Sequence, residues 1–156
     1  MRKNYEIDVC WTAFPLHPDT PEEGLALEEL FSGRSVNLSQ MMARLKKVAD
    51  EEGLPLGDRK KTYNSRLAQE LGKWADSKGK GDEFHDAAFR AYFVDGKNIG
   101  KIPTLVDLAT SVDLPGGEAQ KVLEARAFKE AVDLDWSRAR EMGVTAVPTF
   151  VTDQRA

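Results

Sequence analysis

Residues 143–151 read GVTAVPTFV, a β-branched and aromatic run with a proline near its middle. Such residues favour a pleated strand, but a proline entering a strand costs a ladder hydrogen bond and demands a reason. One reason is a cis X–Pro bond, which turns the chain and leaves the backbone of the preceding residue free. A free backbone edge pairs with an extended ligand such as a peptide. The other is a trans proline on an edge strand. The first reading makes the Val147–Pro148 bond cis and Val147 and Pro148 candidate substrate-binding residues.

Upstream of this run the apolar period is that of helices. Phe128, Val132, Trp136 and Ala139 form one stripe, ending at Gly143. A helix over roughly 117–126 precedes it, and before that one whose first turn holds Pro103. Phe84, Ala88, Phe89, Tyr92 and Phe93 mark another, with Asp82 as its expected cap. Leu67, Leu71, Trp74 and Ala75 follow Asn64 or Ser65 and stop at Gly79, and Met41, Leu45, Val48 and Ala49 follow Asn37 or Ser39 and stop at Gly53. The spacing predicts that Leu45, Leu71, Trp74, Phe89, Phe93, Leu108, Val122 and Trp136 are largely buried. A short helical turn is expected at Leu25–Phe31. Before it, FPLHPDTPEEG (residues 14–24) is too proline-rich for regular structure. At the start, Tyr5, Ile7, Val9, Trp11 and Ala13 alternate with Glu6, Asp8, Cys10 and Thr12, the period of a strand with one buried face. The order is strand, about six helices, strand. Two strands so far apart need further sheet members, because two alone make a poor core.

The chain has 156 residues, 41% hydrophobic and 31% charged, with a formal net charge of −4. That suits one globular domain and argues against nucleic-acid or anionic-membrane partners, which leave a basic excess. Arg59, Lys60 and Lys61 form the longest basic run and read as a solvated loop. No apolar stretch approaches the roughly 20 residues of a membrane span, and no signal-peptide pattern opens the chain, so a cytoplasmic location is the default. The one cysteine, Cys10, allows no intrachain disulfide and no thiolate metal site. Beside Asp8, on a strand, it reads as a small core or sheet-face residue, not a nucleophile. His17 and His85 are too far apart for a metal motif and read as non-catalytic. The residues suggest no cofactor, and the Phe84/Phe89/Tyr92/Phe93 group reads as core.

Four pieces in order resemble a known family. They are Val9-x-Trp11-x-x-Phe14-x-Leu16-x-Pro18-Asp19-x-Pro21-x-x-Gly24; Asn64-Ser65-x-x-Ala68; Ala88-Phe89-x-Ala91-Tyr92-Phe93; and Gly143-Val144-x-x-Val147-Pro148-Thr149-Phe150-Val151. From about residue 5 onward the chain is similar to DsbA-like proteins of the FrnE type. These are related to 2-hydroxychromene-2-carboxylate isomerases and kappa-class glutathione transferases. Ala146 stands where many relatives have glycine. The resemblance implies an α/β, thioredoxin-like fold with a large helical insertion. Residues 1–36 and 143–156 would form a partial thioredoxin-like domain and 37–142 the inserted helical domain. It also implies that the first strand with its active-site helix, which carries Cys-x-x-Cys, and the last strand–helix unit lie outside this sequence. A fragment, a misplaced gene start and end, or a degenerate relative would each account for that.

The function implied is thiol–disulfide oxidation or reduction, in which one thiolate attacks a substrate disulfide and a second resolves the mixed disulfide. Without the cysteine pair, this chain alone is expected to be inactive. Val147 and Pro148 would hold the substrate backbone, and Asn64 and Ser65 would help form the groove. The partner would be a peptide or thiol, glutathione included, and a homodimer could close the open sheet edges. The alternatives are a glutathione-dependent isomerase or transferase with serine for the first cysteine, and a non-catalytic peptide-binding module.

Overall fold

The structure, a computed structural model, describes residues 9–33 and 37–152. Its elements run β1 (Leu25–Ala26), α1 (Leu27–Leu30), α2 (Leu38–Glu51), β2 (Lys61–Thr62), α3 (Arg66–Ser77), α4 (Gly81–Phe93), α5 (Ile102–Ser111), α6 (Gly116–Glu124) and α7 (Lys129–Glu141). The six long helices and the short turn stand where the apolar stripes put them. Local chemistry sets their ends. Asn37 caps α2 by accepting the Gln40 N–H at 3.0 Å. Pro103 occupies the first turn of α5, where a missing N–H costs nothing. At the end of α7, Gly143 takes φ 67°, its N–H reaches Arg140 O at 3.0 Å, and Val144 N–H reaches Ala139 O at 2.9 Å. This Schellman closure needs a left-handed residue, and glycine adopts that conformation without a Cβ penalty. One cap differs from expectation: Lys80, not Asp82, flanks α4. Asp82 lies inside the first turn, where its negative charge suits the helix dipole.

The core lies among α3–α7. Helix α3 packs against α4, α5, α6 and α7, and α5 packs against α6. Leu71, Phe84, Leu105, Leu123 and Val132 are fully enclosed, each stabilising by about 1.5–3 kcal/mol. Of the eight residues expected inside, Leu71, Trp74 and Leu108 are buried, and Val122 and Trp136 are half-buried. Leu45, Phe89 and Phe93 are not; they are 50%, 46% and 39% exposed. Among the described residues helix α2 packs broadly against no other element, so Leu45 stays on the surface there. Phe89 and Phe93 lie on the flank of α4 turned away from the core.

Both long strands expected from the sequence are absent among the described residues. Residues 9–14 and 144–152 are irregular, and residues 5–8 lie outside the described ones. A strand requires a partner's backbone, and neither segment has one among the described residues. Cys10 is therefore exposed, not packed on a sheet face. The sheet that does form is a two-residue antiparallel ladder, Leu25 opposite Thr62 and Ala26 opposite Lys61. The basic run beside it is not simply solvated. Lys61 belongs to β2, and the half-buried Arg59 bonds the Tyr92 hydroxyl and lies 4.5 Å from that ring's centroid, a cation–π contact.

Candidate functional site

Beyond the closure of α7, among the described residues, residues 145–152 make no backbone–backbone hydrogen bond. The Val147–Pro148 bond is cis, and Thr149 Oγ1 donates to Ala146 O at 2.6 Å. Val147, Phe150 and Val151 are 47%, 79% and 58% exposed. An apolar, β-prone segment with a free backbone is a surface that an added strand can pair with.

Asn64 and Ser65 are occupied otherwise. Asn64 Nδ2 donates to Pro18 O at 3.0 Å and Thr20 O at 2.9 Å, while its Oδ1 accepts the Arg66 N–H at 2.9 Å. It braces the proline-rich loop against the start of α3. Ser65 Oγ accepts from Gln69 Nε2 at 3.1 Å. Among the described residues no hydrogen bond joins this pair to Val147 or Pro148.

The helices instead grip residues 11–14, through contacts that sequence reasoning did not foresee. Lys73 Nζ donates to Trp11 O at 3.1 Å, Asp135 accepts the Ala13 N–H at 2.8 Å, and Gln69 Nε2 donates to Phe14 O at 3.0 Å. Lys73 and Asp135 are themselves paired at 2.6 Å. Side chains of α3 and α7 thus bond a backbone that, among the described residues, no strand bonds. Trp11 Nε1 donates to Asp82 at 3.0 Å, and its ring stacks on His85 with centroids 4.6 Å apart. Phe89 and Phe93 extend this row along α4. Of the Phe84/Phe89/Tyr92/Phe93 group that the sequence assigns to the core, Phe84 is buried and Tyr92 packs half-buried against the core, whereas Phe89 and Phe93 are largely exposed. The i, i+4 spacing of His85, Phe89 and Phe93 was the available signal for a shared face. Burial pushes the His85 imidazole below its ordinary value, against the opposing pull of Asp76 and Asp82.

Behind this grip sits Glu70, 1% exposed. Arg66 Nε reaches it at 2.6 Å, and Arg126 holds both oxygens at 2.7 and 2.6 Å. Burial alone would raise this carboxyl; the hydrogen bonds from Arg126 and Arg66 override it and hold the group below its usual range. Arg66 also pairs with Asp133 at 2.7 Å and lies 4.6 Å from the Trp136 ring centroid. The cluster is saturated internally, so it locks α3, α7 and the loop before α7 together and has no acid–base capacity to spare. Among the described residues no cluster of His, Cys, Asp and Glu could hold a metal ion, and no helix is long and apolar enough to cross a membrane.

The DSBA-like thioredoxin domain matches residues 1–156. The chain belongs to this family. Its fold is accordingly the mixed α/β, DsbA-like thioredoxin fold with a helical insertion, present here as seven helices and a small two-stranded sheet among the described residues. It resembles the crystal structure of a probable DsbA oxidoreductase, SCO1869 from Streptomyces coelicolor, with a TM-score of 0.80 and 26% identity. The match covers 90% of this chain and 64% of that one, so the DsbA-like chain described here spans less than two thirds of that protein's length. The protein YwbO of Bacillus subtilis (strain 168) is 28% identical over 153 residues, covering 81% of this chain and 76% of the relative.

Proposed function

We propose that this DsbA-like chain forms the helical, substrate-presenting part of a cytoplasmic thiol–disulfide oxidoreductase of the FrnE-type subgroup. Residues 37–142 act as the inserted helical domain, and residues 1–36 with 143–156 contribute to the thioredoxin-like one. The observation that carries the reading is the 145–152 segment, exposed, apolar and without backbone partners among the described residues. An extended peptide or thiol substrate, glutathione included, pairs with it at Val147 and Pro148. Asn64 acts there only indirectly, by bracing the loop at Pro18–Thr20. Disulfide exchange needs an attacking thiolate and a second thiol that resolves the mixed disulfide. Residues 1–156 hold one cysteine, so the Cys-x-x-Cys pair comes from sequence outside them.

Insulin reduction tests this directly. The chain alone is expected to turn over no faster than a free thiol, with no change in Cys10→Ala. Extending it at the N-terminus by a strand and helix bearing Cys-x-x-Cys is expected to restore turnover, and Phe150→Asp to lower it. Turnover by the chain alone that disappears in Cys10→Ala would overturn the proposal and make Cys10 a nucleophile.

A further inference from the structure

His85, on α4, sits where that helix meets α3 and the segment that the helices grip. Its ring stacks on Trp11, with centroids 4.6 Å apart and planes inclined by 29°. Its Cε1–Nε2 edge closes on α3 at Gly72, where a Cβ would stand 3.3 Å from Cε1 and 3.5 Å from Nε2. Phe84 and Phe89 flank it, with ring centroids at 6.4 and 6.1 Å. The imidazole is thus enclosed by apolar rings and a helix backbone, surroundings that suit its neutral form.

Three charges act on this ring: Lys73 and Asp76 from α3, and Asp82 from its own helix. Residues 9–14 bring no Asp, Glu, Lys or Arg, and Cys10 is exposed. Two of the three charges also hold Trp11. Asp82 accepts its indole N–H at 3.0 Å, and Lys73 donates to its carbonyl at 3.1 Å. A proton on His85 therefore acts on the stack and on both of these bonds. The imidazolium draws the Asp82 carboxylate away from the indole and repels the Lys73 ammonium. The indole face favours a stacked cation, but burial is the largest influence on this imidazole and pushes it below its ordinary 6.5. The charged form gains more by reaching water than by staying in the stack.

We propose that the Trp11–His85 stack is a proton-operated latch: the neutral imidazole holds residues 11–14 on the helices, and its protonation releases Trp11. The latch is independent of the redox reading. It is closed above the ordinary imidazole value of 6.5 and opens as the pH falls toward the lower value of the held ring. Between the two values the ratio of released to held chain rises about tenfold per pH unit. Release uncovers Phe89, whose ring meets Trp11 edge-on at 5.8 Å, and leaves the Trp11 carbonyl free to pair with an added strand.

Tryptophan fluorescence of the full chain, followed from about pH 8 to about pH 5, tests the latch. Release should shift the Trp11 emission to the red and raise it, because an imidazolium that leaves the stack no longer quenches the indole. The change should be absent in Trp11→Phe, which leaves Trp74 and Trp136 in place, and in His85→Phe, which keeps a ring in the stack. Asp82→Asn keeps an acceptor for the indole but removes a charge that favours the proton, so the midpoint should move to lower pH. Far-UV circular dichroism should stay constant, since residues 9–14 contribute no helix. Emission that falls without a red shift would mean an imidazolium quenching from within the stack and would overturn the proposal. So would no change at all, a shift retained in His85→Phe, a midpoint unmoved by Asp82→Asn, or loss of helix over the same pH range.

Discussion

The α3–α7 body and the segments that flank it follow opposite rules. In the body, apolar stripes of neighbouring helices close on one another, and Leu71, Phe84, Leu105 and Leu123 lose nearly all contact with water. In the flanks, residues of equal hydrophobicity stay in the open: Leu16 at 51%, Val151 at 58% and Phe150 at 79% exposure. The difference is not one of composition. A helix satisfies its backbone internally, so it forms wherever its stripe finds a neighbour. A strand satisfies its backbone only through another strand. Where none is supplied among the described residues, the β-prone sequence stays irregular and largely exposed, tied down by whatever side chains can reach it.

Paired truncations measure this contrast most strongly. Phe84→Ala should cost about 3–5 kcal/mol in denaturant unfolding, and Phe150→Ala no more than about 0.5 kcal/mol. Equal losses would erase the distinction between body and flank. Next comes Glu70→Ala, which strips two arginines of their shared acceptor and should cost roughly 1.5–3 kcal/mol. Because the Glu70 carboxyl is held below its ordinary value of 4.5, its stabilisation is fully present above that pH and is lost as the pH falls through the lower folded value. Acid titration of Glu70→Ala should therefore show less acid-linked destabilisation than the parent chain.

A smaller effect concerns the seam between body and flank. Burial lowers the His85 pKa from its ordinary 6.5, so the unfolded chain binds the proton more readily. Stability should be complete above about pH 6.5 and decline as pH falls toward the folded value. In His85→Phe, which keeps an aromatic ring against Trp11, that decline should vanish; its persistence would place the titrating group elsewhere. Smallest in free energy is Asp135→Asn, which keeps the shape but weakens the acceptor for the Ala13 amide. Global stability should change by no more than about 1 kcal/mol, while hydrogen exchange at Ala13 quickens. Unchanged exchange would mean that the helices do not hold residues 11–14 in place.

The candidate site divides along the same line as the fold. The cis Val147–Pro148 bond was legible because a proline among β-branched residues is a local conflict that the sequence displays openly. The bracing role of Asn64 was not legible, since its partners, the carbonyls of Pro18 and Thr20, lie more than 40 positions away. The grip of Lys73, Asp135 and Gln69 on residues 11–14 left no trace, because polar residues on a helix surface look alike until the chain brings an acceptor to them.

By itself, then, the sequence determined the six helices, their glycine stops, the Asn37 cap and the resemblance to the DsbA-like family. Each of these depends on contacts within a few residues or on an ordered pattern of side chains. Only the tertiary structure decided that the α2 stripe and the Phe89–Phe93 edge of α4 face outward, and that two β-prone segments carry no ladder among the described residues. It also showed a carboxylate shared by two arginines where the sequence displays only scattered charges. Apolar periodicity states which side of an element avoids water. It does not state whether anything stands there to receive it.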